Sequence, residues 1–484
     1  MQECKLIPVP KSYNRKGGSL TVAPHIFTEV SEWQSHVQAF CYCMQKIYGI
    51  TFTEAPGAVH IVYDAGIEPA AYVIDVDTQI TILASDDQGC VHGLASVVQL
   101  FSKQLEIEKV RIEDKPDKDY RGLMLDLARH WHPFRLLPRY IDLCFLFKIK
   151  YLHLHFMDDE GYTLPSKIYP KLPTPGKSYT FEEIAELRRY AESRGVVLIP
   201  EIEMPGHAQS LIEAYPEEFA NHFDKEAFKG TDNDLQIAFD RNSVVCAGNE
   251  KVFNNLTKLI DEVIDLFPES PYIHLGADEV QTNAWKECTV CREYMTQHHI
   301  KDEHELYAHF LAKVTDYVLS KGKRPIVWEG FVKEHAHLIS KQVIVQGFEC
   351  YYHNPDELLE EGFEVINCAW KPLYIVPTRY HAYHGMLYSI KEILSWNVYE
   401  WLHFSRFSAA TLNPIRVTPS DQMLGAQLCS WDGTYESEMS EIVERLTAFS
   451  ERTWTVKRYC TEQQFCKKLD KLIWKAYELV AETQ

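Results

Sequence analysis

Two adjacent carboxylates, Asp278 and Glu279, close the stretch Pro271-Tyr-Ile-His-Leu-Gly-Ala-Asp-Glu-Val280. Tyr272, Ile273 and Leu275 are aromatic, β-branched or apolar and lie between Pro271 and Gly276, so the stretch reads as a short buried strand. Side chains alternate faces along a strand, so neighbouring acids diverge unless the chain bends at its end. Two acids at the mouth of a buried strand are costly to leave ionised without a use. One use is structural, with Asp278 as the N-cap of a helix that follows. The other is chemistry, and the dipeptide alone does not decide between them. Further candidates recur just past other apolar segments: Arg129 and His130, Asp158-Asp159-Glu160, then Glu201, Glu203 and His207. Later come Trp328-Glu329, Phe348-Glu349, Trp370 with Tyr374, and Trp431-Asp432. Acids with aromatic walls suit a neutral polyol, because carboxylates accept hydroxyl hydrogens and indole faces stack on the C–H face of a sugar ring. A phosphate-cradling Gly-rich loop, a Gly-x-Ser-x-Gly elbow and the paired His spacing of a zinc helix are all missing from the sequence.

Those positions imply the elements that must hold them. Strand-like segments are 120–127, 151–157, 196–202, 272–276, 325–328, 343–348, 364–370 and 423–431. Helix-like segments at 138–148, 181–194, 250–267, 303–321 and 355–361 lie between most of them. Pro138 and Pro355 fall where a first helical turn tolerates proline. Eight strands separated mostly by helices predict an α/β fold, a (β/α)8 TIM barrel over residues 117–484 with its site at the C-terminal strand ends. Residues 1–116 carry strand-like segments at 59–63, 72–76 and 80–84 and an amphipathic run through Gln104, which predicts a small α+β domain without a catalytic constellation. The charged run 113–119, with one proline, predicts the linker.

At 484 residues the chain is long enough for two or three domains, and its 46% hydrophobic and 24% charged content is that of a globular protein. The net charge of −20 makes nucleic acid and anionic membrane surfaces poor partners. No apolar run approaches 18 residues, and Met1-Gln-Glu-Cys-Lys lacks an apolar signal core; the expectation is a cytoplasmic protein, with a trimmed secreted form left open. Thirteen cysteines, an odd number scattered over the chain, suit a reducing compartment. Cys288-x-x-Cys291 is a close pair with no second pair at metal spacing, so no metal or cofactor is expected.

The motifs are similar to those of the family 20 glycoside hydrolases, the β-N-acetylhexosaminidases. His274-Leu-Gly-Ala-Asp278-Glu279 resembles the family's strand-four signature. Tyr120-Arg-Gly-Leu-Met-Leu-Asp-Leu-Ala-Arg129-His130 resembles its strand-one motif. His153-Leu-His155-Phe-Met-Asp158-Asp159 and Pro200-Glu-Ile-Glu-Met-Pro-Gly-His207 resemble its second and third motifs, and the small domain resembles the one that precedes the family's barrel.

The resemblance implies an exo-acting, retaining enzyme for terminal β-linked GlcNAc or GalNAc. Its alternatives are a lacto-N-biosidase-like enzyme and an inactive sugar-binding barrel. In that family the substrate's own 2-acetamido oxygen attacks C1. The match assigns Glu279 as general acid and later base, with a pKa expected to be raised, and Asp278 as acceptor of the acetamido N–H. Tyr374 would donate to the acetamido carbonyl, and Asp158 and His207 would form a relay to Glu279. Arg129, His155, Trp328, Phe348, Trp370, Trp401, Trp431, Asp432 and Glu436 are the expected substrate-binding residues. Among them Trp401, with Trp396, lies on a loop before strand eight and is a candidate for an outer subsite. Glu329 is given a supporting place behind the sugar. One departure stands out: many members read Trp-x-Glu after strand eight, whereas Trp431-Asp432-Gly433 places glycine there, with Asp432 or Glu436 as substitutes. A site tolerant of both C4 epimers, or leaning to galacto sugars, is therefore expected.

Overall fold

The computed structural model describes residues 4–222, 243–376 and 388–482. Eight parallel strands close into a barrel: Tyr120–Asp126, Tyr151–His155, Val197–Glu201, Tyr272–His274, Arg324–Trp328, Ile344–Gly347, Glu364–Asn367 and Met423–Ser430, strands one to eight in chain order. Strand eight pairs back onto strand one. Nearly every residue of these strands is buried, which is why they read as apolar runs rather than as alternating ones. Tyr120, Met124, Tyr151, Ile199, Ile326, Ile344, Ile366 and Cys429 pack together as one cluster within the barrel.

Register decides what the strand ends bring together. Asp126 pairs with His155, His155 with Glu201, and Glu201 with His274 across strands one to four. Four ionisable residues therefore lie in one row at the C-terminal rim, and the residues that follow each of them converge above it.

Local chemistry starts the helices. Thr180 and Glu183 form a capping box at Phe181–Glu192, as do Asn354 and Glu357 at Pro355–Glu360. Two strands end earlier than the sequence suggests. Strand four stops at His274 because Gly276 and Ala277 turn to φ +63° and +74°. Strand seven stops at Asn367, whose Nδ2 donates to the carbonyls of Val398 and Glu400, and the chain turns through Trp370–Leu373. The run 435–480, which carried no helix expectation, folds into the long helices Tyr435–Trp454 and Glu462–Val480.

Residues 12–114 build a seven-stranded sheet of mixed direction, and its helix Asp87–Leu100 packs against both that sheet and the barrel helix Leu137–Leu146. Strand Glu106–Asp114 runs through the first two residues of the expected linker. Its last residue, buried Asp114, accepts from Tyr72 Oη at 2.9 Å and from Trp454 Nε1 at 3.0 Å, which ties the sheet to the end of a barrel helix.

Candidate active site

The bend that separates the two acids is built from three residues with positive φ. Gly276 must be glycine: a Cβ there would lie 1.6 Å from Glu203 Oε2. Ala277 follows at φ +74° and Glu279 at +48°, with Tyr307 Oη donating to the Ala277 carbonyl. His207 and Asp432 also adopt left-handed backbone, at φ +47° and +54°. Each such non-glycine residue costs on the order of 1–3 kcal/mol, a strain that persists where surrounding structure holds it. Asp278 caps no helix; the next begins at Asn283.

The two acids meet different surroundings. Asp278 is 8% exposed and its Oδ1 has no hydrogen-bond partner. Burial, helped by Glu279 and Glu201 and opposed by His207, pushes its carboxyl up to about 6. Glu203, buried beside it, is raised well above the carboxylate range by burial and then by Asp278. The Glu279 side chain is 54% exposed, and its Oε2 lies 3.5 Å from His207 Nε2. That hydrogen bond holds the Glu279 carboxyl below its ordinary value, against the expectation of a raised one. The reason is His207 itself: burial works against its charge, but Asp158, with Nδ1 3.3 Å from Oδ1, outweighs burial and keeps the ring cationic.

Asp158 is the hub. It accepts from Arg129 Nη2 at 2.6 Å, from His155 Nε2 at 2.8 Å and from the Asp159 N–H at 2.6 Å. Burial opposes its charge, yet Arg129 and then His207 hold it well below the usual range. Arg129 is gripped by Asp126 at 3.0 Å and lies over the Trp431 ring with its Cζ 5.4 Å from the centroid. Trp431 leans on Trp328 (5.7 Å between centroids) and Tyr374 (6.2 Å), Trp328 meets Phe348 edge-on at 5.5 Å, and Trp370 covers Tyr374 at 4.1 Å. These five rings form one continuous aromatic wall.

Several expected site residues take other places. His155 is buried with both nitrogens engaged, Nε2 by Asp158 and Nδ1 by Glu201, so it positions Asp158 instead of meeting a sugar. Glu201 also accepts from Trp328 Nε1 at 2.6 Å and stands 3.1 Å from His153 Nε2, whose ring burial holds in the neutral form with a pKa lowered to about 4. Trp401 and Trp396 are fully buried: Trp401 Nε1 donates to Gly347 O and Trp396 Nε1 to Glu400 O, so both are core and neither lines a subsite. Glu329 collects the backbone N–H groups of Cys350, Tyr351 and Tyr352 at 2.7–3.0 Å, which fixes the loop after strand six. Asp432 stays at the end of strand eight, part-exposed and paired with His130, whereas Glu436 sits exposed in the first turn of a helix, not on an adaptable loop.

Residues 119–457 match the model of glycosyl hydrolase family 20, catalytic domain, and residues 3–115 match domain 2 of the same family. The chain belongs to glycosyl hydrolase family 20. A β-hexosaminidase of Porphyromonas gingivalis is 28% identical over 456 residues, covering 85% of this chain and 54% of that one. One from Akkermansia muciniphila is 36% identical over 282 residues, 54% of this chain and 56% of that one. The chain spans about half the length of these two relatives. Among solved structures, a Flavobacterium johnsoniae chitobiase is 25% identical with a TM-score of 0.78, covering 98% of this chain and 73% of that one. An exo β-N-acetylglucosaminidase from Vibrio harveyi, 23% identical with a TM-score of 0.80 over 99% of this chain and 78% of that one, shares the fold.

Three residues of this family 20 chain had no assigned role in the sequence. Asp126 accepts from the backbone N–H of both Arg129 and Asp432, at 3.1 Å each, and so joins the ends of strands one and eight. A lone acid inside an apolar strand was its signal. Glu349 accepts from Trp370 Nε1 at 3.2 Å, and burial, then Glu279 and Glu329, push its carboxyl up to about 7. Glu438 is buried, 2.7 Å from His132 Nε2, and accepts from Ser430 Oγ at 2.6 Å. It fills the space beside Gly433, where a Cβ would come within 2.6 Å of its Oε2.

Proposed function

We propose that the chain is an exo-acting, retaining β-N-acetylhexosaminidase that removes terminal β-linked GlcNAc or GalNAc from glycans by substrate-assisted catalysis. The observation that carries this reading is the unequal setting of the two acids. Asp278 is buried with an open acceptor oxygen, and Glu279 faces the mouth beside His207. Glu279 protonates the glycosidic oxygen as the C1–O bond breaks, and the acetamido oxygen attacks C1 to form an oxazolinium ion. Asp278 accepts the acetamido N–H and balances the positive charge that develops there. Glu279 then takes a proton from water, which attacks C1 and reopens the ring with retained configuration. Positioning an internal nucleophile is worth up to roughly 7–11 kcal/mol in good geometry.

The remaining residues serve these two. Tyr374 is buried between Trp370 and Trp431, and burial keeps its hydroxyl protonated, ready to donate to the acetamido carbonyl. Trp328, Phe348, Trp370 and Trp431 enclose the acetamido methyl and the sugar face. Arg129 holds the 3- and 4-hydroxyl side. A sugar over Glu279 excludes water from its half-exposed carboxyl and raises its pKa toward that of a working acid. None of the 13 cysteines is paired in a disulfide, which supports a reducing, cytoplasmic setting. No helix among the described residues is long and apolar enough to cross a membrane.

Glu279→Gln tests the acid assignment. Turnover of glycosides with poor leaving groups is abolished, while activated aryl glycosides lose far less because their phenolates need little protonation. Equal losses on both substrate types would leave Glu279 a structural carboxylate.

A further inference from the structure

Outside the barrel mouth, three thiols converge. Cys288 separates the short helices Asn283–Glu287 and Thr289–His298, which follow the two acids, and Cys291 lies within the second. Cys246 comes from a different segment, which runs beside the His207 loop: Val245 N–H donates to Pro205 O and Ala208 N–H to Ser243 O, both at 2.9 Å. All three cysteines are 0% exposed. Cys246 Sγ lies 3.6 Å from Cys288 Sγ and 3.6 Å from Cys291 Sγ, and all three sulfurs fall within 4.8 Å of one another. Two backbone N–H groups point at the cluster, His222 to Cys288 Sγ at 3.3 Å and Gly248 to Cys291 Sγ at 3.4 Å.

The spacing has a chemical meaning. A disulfide needs its sulfurs about 2.05 Å apart and would strand the third thiol. Tetrahedral zinc with Zn–S bonds of about 2.3 Å sets its sulfurs about 3.8 Å apart, close to the separations seen. Main-chain N–H donors to sulfur neutralise thiolate charge, as outer partners of metal ligands do. The two-residue gap between Cys288 and Cys291 is that of zinc sites, and Cys246 supplies the member that the sequence pattern lacks. No other group of three cysteines stands at such distances among the described residues.

We propose that Cys246, Cys288 and Cys291 bind one Zn2+ as thiolates, releasing three protons to solvent, and that the ion staples the His207 loop to the helices that follow Asp278 and Glu279. The fourth tetrahedral position goes to a nitrogen or oxygen donor. His222 is the first candidate, because its carbonyl also accepts from the Thr289 N–H at 2.9 Å and so lies against the motif. The three sulfurs are buried, which suits a structural centre independent of the reaction proposed for the barrel.

The test uses the full chain purified without chelator. Elemental analysis finds about one zinc per chain, and exchange with Co2+ gives the thiolate charge-transfer and intense d–d absorption of a tetrahedral sulfur site. Cys288→Ser and Cys291→Ser lose the metal, whereas Cys466→Ser, at an exposed thiol, keeps it. Chelation lowers the melting temperature of the wild-type chain. Under denaturing, chelating conditions all 13 thiols titrate. A changed d–d spectrum in His222→Ala assigns it the fourth position, and an unchanged one assigns that position to solvent, the three-thiolate site standing either way. A wild-type chain that takes up neither zinc nor cobalt under reducing conditions overturns the proposal in favour of packed thiols. A titration two thiols short overturns it in favour of a disulfide.

Discussion

Replacing Asp278 with Asn separates what this carboxylate costs the fold from what it gives the reaction. Its folded pKa of about 6 stands above the ordinary 3.8, so the group favours the folded state only while protonated. That contribution is complete below about pH 4 and is lost as pH rises through about 6, leaving a buried charge that costs about 3 kcal/mol at pH 8. Asn keeps the shape and stays neutral, so it carries no charge into the buried site at pH 8. The unfolding entropy of a 484-residue chain, at roughly 2.1 cal/mol/K per residue, is about 1 kcal/mol/K. Asp278→Asn should therefore melt about 3 °C above the wild type at pH 8, and at the same temperature near pH 4. Scanning calorimetry of both proteins across that range, beside activity assays, shows whether a more stable and nearly inactive variant results. A melting difference that does not change with pH, or a variant less stable at pH 8, would refute a charged, desolvated Asp278.

The same carboxyl should shape the pH profile: kcat/KM on a nitrophenyl N-acetylhexosaminide, whose activated leaving group needs little protonation by Glu279, falls as pH drops through about 6, because protonated Asp278 no longer accepts the acetamido N–H. A profile level down to pH 4.5 would contradict this. GlcNAc and GalNAc aryl glycosides should differ by no more than about tenfold in kcat/KM, or about 1.4 kcal/mol, since Asp432 is committed to His130 and no acid stands at Gly433. Gly433→Glu should lower the melting temperature without sharpening that selectivity, because its Cβ already collides with Glu438; a GlcNAc preference of several hundredfold in the wild type would sink the argument.

The barrel was legible because each of its strands is a buried parallel strand and so writes a short apolar run, and the site because polar residues recur just past those runs. What lay beyond the sequence depends on partners far along the chain. Trp401 looked like a loop aromatic at a mouth, yet Gly347 of strand six gives its indole a carbonyl and buries it. His155 shares a motif with Asp158 but is enclosed by Glu201 of the next strand. The pKa expectation for Glu279 counted neighbouring acids and missed that His207, held cationic by Asp158, is the nearer influence. Gly433 read as a lost acid, and only the packed structure shows Glu438 filling the space. The thiol cluster stayed hidden because Cys246 precedes Cys288 by 42 residues.

The central claim, that the acetamido group is the nucleophile held by Asp278 and Tyr374, is tested most directly by comparing nitrophenyl β-GlcNAc with nitrophenyl β-glucoside. The two share leaving group and ring configuration and differ only at C2. The account predicts steady release of nitrophenol from the acetamido sugar and essentially none from the glucoside, which lacks the group that attacks C1. Efficient hydrolysis of the plain glucoside would contradict it.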